Sequence, residues 1–228
     1  MNMNELILLA YCFIVGSATL GALRFGKEGL IGFICVQAIL VNLFVSKQIT
    51  LFGFTATAAD ALAVGITLSL NVLQEYYSRS AALSAIWISF YCAVFYTILS
   101  LFHIAYIPAP SDTTHQIFSV LLLPMPRIVI ASLLTYLIVQ YLDTQIYFFL
   151  KKKFHAHYFI LRNYSSLFFT QFLDTVLFSF LGLYASTQSL TQLSTVFDII
   201  KVSYIIKAVV IIFTVPYVRF ARSFIKDL

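Results

Sequence analysis

The sequence predicts an all-α integral membrane protein that crosses the bilayer about seven times, and three observations carry that reading. Of 228 residues, 61% are hydrophobic and only 10% charged, with a mean hydropathy of +0.94. A water-facing surface needs about 25–35% charged residues, so lipid is the solvent for most of this chain. The apolar residues also fall into runs close to the ~20 residues that a spanning helix requires. Lys and Arg concentrate between those runs, where cations set the orientation of a membrane protein. The length is used up by the runs, so residues 1–228 read as a single transmembrane domain.

The first run, Glu5 to Leu23, lacks the cationic start of a cleaved signal and is long enough to span, so it is read as a retained helix. Gly29 to Lys47 is the second. The third, Thr57 to Tyr77, is diluted by Asp60, Asn71 and Glu75, with hydrophobic residues on the faces between them. Ala82 to Tyr106 is the fourth. The loop from Ile107 to Pro126 starts with an extended Pro-Ala-Pro and then holds an apolar piece, Ile117 to Leu123, too short to span and expected on the outer face. Arg127 to Leu150, Tyr164 to Tyr184 and Phe197 to Val218 complete seven, or six if the third does not cross.

Arg24 with Lys27, Arg79, Lys151 to Lys153 with Arg162, and the tail from Arg219 to Lys226 occupy alternate connections, which places the N-terminus outside and the C-terminus in the cytoplasm. Without the third span the parity beyond it would invert. The net charge of +5 therefore reports topology, and no nucleic acid is expected as a direct partner. Cys12, Cys35 and Cys92 are odd in number and lie in apolar runs, which argues against a disulfide framework or a zinc site. His155 and His157 stand two apart in a loop with no Cys or carboxylate beside them, so no metal and no cofactor is assigned. Gly16, Ala18 and Gly21 are small enough to allow close helix contact in a homodimer.

A charge at a helix centre costs about 2.5–3.5 kcal/mol on insertion scales, so an intramembrane ionisable residue is a functional candidate. Glu75, Asp143, Asp174 and Lys207 are those residues. Asp174 and Lys207 stand about ten positions into their runs, about 15 Å deep, whereas Glu75 and Asp143 lie nearer the cytoplasmic end. Gln140-Tyr141-Leu142-Asp143-Thr144 reappears as Gln171-Phe172-Leu173-Asp174-Thr175, and Gln and Asp three apart share a helical face. Neighbouring helices run in opposite directions, so the two amide-carboxylate pairs are set in opposed senses around one cavity. Interhelical glue is the plain alternative. Gln140, Asp143, Gln171, Asp174 and Lys207 on three helices, with more intramembrane acid than base, favour a cavity for a small molecule rich in hydrogen-bond donors.

These residues resemble the queuosine precursor transporters, also called the vitamin uptake transporter family. The resemblance rests on Asn42 with Lys47; Glu75-Tyr76; Arg127, Ala131-Ser132, Gln140 and Asp143; Arg162-Asn163, Ser166, Gln171, Asp174-Thr175 and Phe178; and Lys207 with Pro216. It spans residues 42–216, and the run from Arg162 to Phe178 is its most specific part. Asn71 departs from it, standing where members often carry an acid. The resemblance implies a multi-pass transporter of the cell (inner) membrane that imports a 7-deazaguanine base or queuine for transfer RNA modification. It also implies that Asn42, Glu75, Gln140, Asp143, Gln171, Asp174, Phe178 and Lys207 contact the substrate, with Lys47, Arg127, Arg162, Asn163 and Tyr204 supporting or gating. A carboxylate suits the adjacent donors of a guanine-like edge, and Phe168, Phe172, Phe178 or Tyr204 offers a stacking surface.

Rival classes fit less well. A retinal protein needs a counter-ion one turn from its Lys, where Ser203 stands here, and a Trp-rich pocket, where Trp87 is the single Trp. An intramembrane aspartyl protease would pair Asp143 with Asp174, but neither sits in the Tyr-Asp or Gly-x-Gly-Asp context of such enzymes. No Ser-His pairing, Gly-rich phosphate loop or His/Cys cluster supports another enzyme. A carrier or substrate-binding membrane subunit for another small nutrient is the nearest competitor.

Overall fold

A computed structural model describes residues 2–45, 47–122, 126–154, 157–183 and 191–225, with the side chains of a few residues near element ends outside the description. Six of its helices are long and apolar enough to cross a membrane. They are α1 (Met3–Leu23), α2 (Gly26–Phe44), α4 (Arg79–Ala105), α6 (Pro126–Lys153), α7 (Phe159–Phe178) and α8 (Thr191–Ile225); the first four follow their apolar runs to within about three residues, whereas α7 begins and ends earlier than its run and α8 extends beyond its run at both ends. Asn2 accounts for the start of α1, since its backbone nitrogen donates to Glu5 Oε2 at 2.8 Å. Ser78 caps α4 by accepting from the backbone nitrogen of Ala81 at 3.0 Å.

The third run behaves differently. Helix α3 (Asp60–Tyr76) has 17 residues, about 25 Å of rise, and nearly every side chain from Asp60 to Gln74 is buried. It packs against α1, α2, α4, α6, α7 and α8. Its polar residues are therefore tolerated because they face protein instead of lipid. This short pillar stands where the third span is expected, but it is not among the six helices long and apolar enough to cross.

Between α2 and α3, where no apolar run falls, the chain forms a hairpin. Strands β1 (Gln48–Leu51) and β2 (Phe54–Thr57) pair antiparallel, with Leu51 opposite Phe54. Phe52 and Gly53 turn the chain with φ of 52° and 81°, the positive pair that a two-residue hairpin of matching twist requires. Leu51 and Ala56 are buried, and Asn4 Nδ2 of α1 donates to the Thr50 carbonyl at 3.0 Å. The hairpin leads directly into Asp60. A short helix, α5 (His115–Leu122), follows the Pro-Ala-Pro segment and packs on α4. There Phe118 meets His103 edge-on at 5.3 Å.

Helix α8 carries Pro216 within its length. Proline cannot donate to the carbonyl four residues back, and Tyr164 supplies the missing donor, its hydroxyl 3.3 Å from the Ile212 carbonyl. One turn of π-helix, Ser179–Leu183, extends α7. Of the small residues in α1, Gly16 is not available for contact with another molecule. It is buried, and a Cβ there would lie 2.8 Å from Tyr217 Cγ of α8, so its smallness serves packing inside the chain.

Candidate functional site

Helices α3, α6 and α7 each turn one polar stripe toward a common axis. On α3 the stripe is Asp60, Thr67, Asn71 and Gln74 with Glu75; on α6 it is Gln140, Asp143, Thr144, Tyr147 and Lys151; on α7 it is Arg162, Ser166, Thr170, Gln171 and Asp174. Steps of three, four and seven keep residues on one helical face. From Asp60 to Glu75 the ladder covers about 22 Å at 1.5 Å per residue, most of the bilayer core.

The rung at the Lys151–Lys153 end is an ion cluster. Arg162 grips Glu75 with Nη1 at 3.1 Å from Oε2 and Nη2 at 3.0 Å from Oε1. Lys151 Nζ lies 3.1 Å from Glu75 Oε2, and the Tyr147 hydroxyl donates to the same oxygen at 3.1 Å. Arg162 is wholly buried, and its Nε donates to the His157 carbonyl at 3.0 Å. Asn163, also buried, donates to the Phe159 carbonyl at 2.9 Å while its Oδ1 meets no partner. Glu75 therefore has its cations already.

The middle rungs carry no cation. Asp143 is completely buried; Ser166 and Thr170, the latter at 3.0 Å, donate to its Oδ1, while its Oδ2 has no partner. One turn along, the Gln140 amide lies 3.2 Å from the Thr67 hydroxyl, and Gln171 Nε2 donates to that hydroxyl at 3.0 Å. Gln171 Oε1 and both amide atoms of Asn71 are buried and unpartnered. Gln74 bonds the Thr144 carbonyl at 3.2 Å and ties α3 to α6. The two amides of the sequence echo thus converge on one hydroxyl of α3.

At the hairpin end Lys207 of α8 donates to Asp174 Oδ2, with the lysine buried and the carboxylate partly open. Asp60 stands within electrostatic range of both, hydrogen-bonded by the Thr57 hydroxyl, and its Oδ2 is buried and unpartnered. Asp143 and Asp174 have separate partners, so they do not form the shared pair that an aspartyl protease needs.

Other expected residues lie away from the ladder. Asn42 of α2 accepts from Ser132 at 3.1 Å and donates to the Ala38 carbonyl at 2.9 Å, in a small cleft between α2, α4 and α6 that α5 closes. Lys47 is exposed at the foot of the hairpin, its carbonyl accepting from Ala58 at 2.9 Å. Phe178 is half-buried beside Gly182. The Tyr204 hydroxyl donates to the Phe168 carbonyl at 3.2 Å, and its ring meets Phe172 edge-on at 5.3 Å. Phe172 itself is exposed, which leaves Phe168 and Tyr204 as the more enclosed rings of that seam. The side chain of Arg127 and residue His155 lie outside the described residues.

Asp60, Thr67, Thr170 and Tyr147 also lie in this ladder and were not singled out by sequence reasoning. The signal was present, since Asp60, Thr67, Asn71 and Gln74 repeat on one face of the third run.

The family described as "Putative vitamin uptake transporter" matches residues 57–221, from the last residue of the hairpin through most of α8. A "Probable queuosine precursor transporter" of Bacillus subtilis (strain 168) is 30% identical over 207 residues, which cover 89% of this chain and 87% of that protein. No solved structure matches. With the apolar helices and the polar ladder inside them, these likenesses make the chain a multi-pass membrane transporter and not an enzyme, and it belongs to the vitamin uptake transporter family.

Proposed function

We propose that the chain imports a queuosine precursor, a 7-deazaguanine base or queuine, with its N-terminus outside and its cationic end in the cytoplasm. The observation that carries the reading is Asp143, whose Oδ1 is held by two hydroxyls while its buried Oδ2 has no partner. A guanine-like edge presents a ring N–H beside an amino group, two donors that a carboxylate accepts together. Glu75 and Asp174 are engaged by cations and Asp60 stands within range of Lys207, so Asp143 is the ladder carboxylate with no cation beside it and the one assigned to read that edge. Gln140 and Gln171, one turn away, supply an amide for the adjoining carbonyl. An unsatisfied buried polar group costs about 1–3 kcal/mol, and a bound base relieves several at once.

Glu75, Arg162 and Lys151 then close the cytoplasmic end, Asp174 and Lys207 line the outer approach, and Phe168, Phe178 or Tyr204 faces the ring. Asn42, Lys47, Asn163 and Arg127 are assigned supporting roles. The name of the Bacillus subtilis relative supports the substrate class. Uptake of radiolabelled 7-deazaguanine bases and queuine by cells lacking their own transporter, with a collapsed-gradient control, is the test. Uptake no greater than in cells with an empty vector would sink the proposal.

A further inference from the structure

The buried charges do not balance at the hairpin end. Lys207 has two carboxylates to answer, Asp174, to which it donates, and Asp60, within electrostatic range of both. Asp60 is 7% exposed and its Oδ2 has no hydrogen-bond partner. An uncompensated charge at such a place is costly, whereas the same group carrying a hydrogen is neutral. Among the described residues, the other ionisable groups near this end are differently placed. Glu5 of α1 accepts from the Asn2 backbone nitrogen at 2.8 Å, while Lys47 and Lys201 are on exposed faces.

We propose that Asp60 is a proton-binding residue that couples entry of the base to the proton gradient, a proposal that rests on the import reading above. A proton taken from the outer side binds the Asp60 carboxylate. Lys207 and Asp174 are then a neutral pair, and the whole cluster can be closed off from water. When the proton leaves, two carboxylates share one ammonium, and the surplus negative charge holds the mouth open to water. A metal cation such as sodium is a poor occupant, because the ammonium of Lys207 repels it.

The coupling route is short. Asp174 stands three residues from Gln171 on one face of α7, and Asp60 stands two turns from Thr67 on one face of α3, so both helices that hold the charge cluster also hold the Gln171–Thr67 contact. Occupation of the amide rung and loading of Asp60 therefore bear on the same pair of helices.

Purified protein in liposomes, given radiolabelled queuine or 7-cyano-7-deazaguanine from outside for accumulation and preloaded with it for exchange, provides the test. With the inside one pH unit more alkaline, the parent should accumulate base up to about tenfold, the limit for one proton per base, and a protonophore should abolish this. Asp60→Asn, which imitates the protonated acid, should lose accumulation yet still exchange internal for external base, whereas Asp60→Glu should keep accumulation. Accumulation that survives the protonophore or follows a sodium gradient overturns the proposal, as does accumulation by Asp60→Asn equal to that of Asp60→Glu. Absence of exchange of either base by the parent overturns the import reading itself, and is distinguished by that readout.

Discussion

Arg162 of α7 and Glu75 of α3, 87 residues apart in sequence, meet as a two-pronged pair, with nitrogen–oxygen distances of 3.1 and 3.0 Å. Breaking a buried pair by removing one partner costs about 3–5 kcal/mol, because the other charge stays behind without it. Arg162→Met should therefore lower thermal stability in detergent markedly. The double variant Glu75→Gln with Arg162→Met should regain much of the loss. A single variant as stable as the parent would show that the pair holds no stability.

Asp143→Asn should reduce uptake by more than about tenfold while membrane insertion is unaffected. Loss of a hydrogen bond to a charged acceptor costs about 1.5–3 kcal/mol, and removal of a buried charge eases insertion. Ser166→Ala and Thr170→Val should cost less, since each removes one of two hydroxyls on Oδ1. Transport by Asp143→Asn at the parental rate would demote the carboxylate to packing.

The amino group of the base offers a separate check. A 7-deazapurine lacking that group should compete for the parent about ten- to hundredfold less well, the ratio that 1.5–3 kcal/mol supports. In Asp143→Asn the gap between the two bases should narrow. An unchanged gap would move the reading of that edge to another residue.

Orientation follows from where the cations gather. Gly26 at the α1–α2 junction lies against the Tyr77 hydroxyl at the α3–α4 junction, so the segments bearing Arg24, Lys27 and Arg79 share one end. Lys151, bonded to the Glu75 carbonyl at 3.0 Å, brings the α6 lysines to that end as well. Impermeant thiol reagents applied from outside should label Thr113→Cys and spare Lys152→Cys. Strong labelling of the latter would reverse the assignment.

The spanning helices were legible because lipid demands long apolar runs, and that demand acts on each run alone. The hairpin was not, since Phe52-Gly53 lacks the Asn-Gly or Asp-Gly signal of such turns and its strands are four residues each. Gln140, Asp143, Gln171 and Asp174 stood out as polar residues inside apolar runs. Asp60 did not, because it opens its helix, where an acid is common for reasons of the helix dipole alone. The engagement of Glu75 by Arg162 was also hidden, as nothing local ties α3 to a residue 87 positions away.

Lys207 separates two mechanisms. As a counter-ion it holds Asp174, to which it donates; as a binding residue it would give its proton bond to the carbonyl of the base. Lys207→Met alone weakens binding under either reading, because it leaves carboxylate charge buried with no cation. The double variant Lys207→Met with Asp174→Asn removes both members of the pair. Under the counter-ion reading the carboxylate that remains beside the vacated lysine, Asp60, is neutral once it carries its proton, so at mildly acidic pH affinity for queuine should return to within about tenfold of the parent, a residual of about 1.4 kcal/mol. Under the donor reading the missing ammonium is not replaced, and the double variant should bind no better than Lys207→Met. The donation to Asp174 favours the counter-ion role. Affinities of the three purified proteins by titration decide it, and a double variant as weak as the single would reject that role.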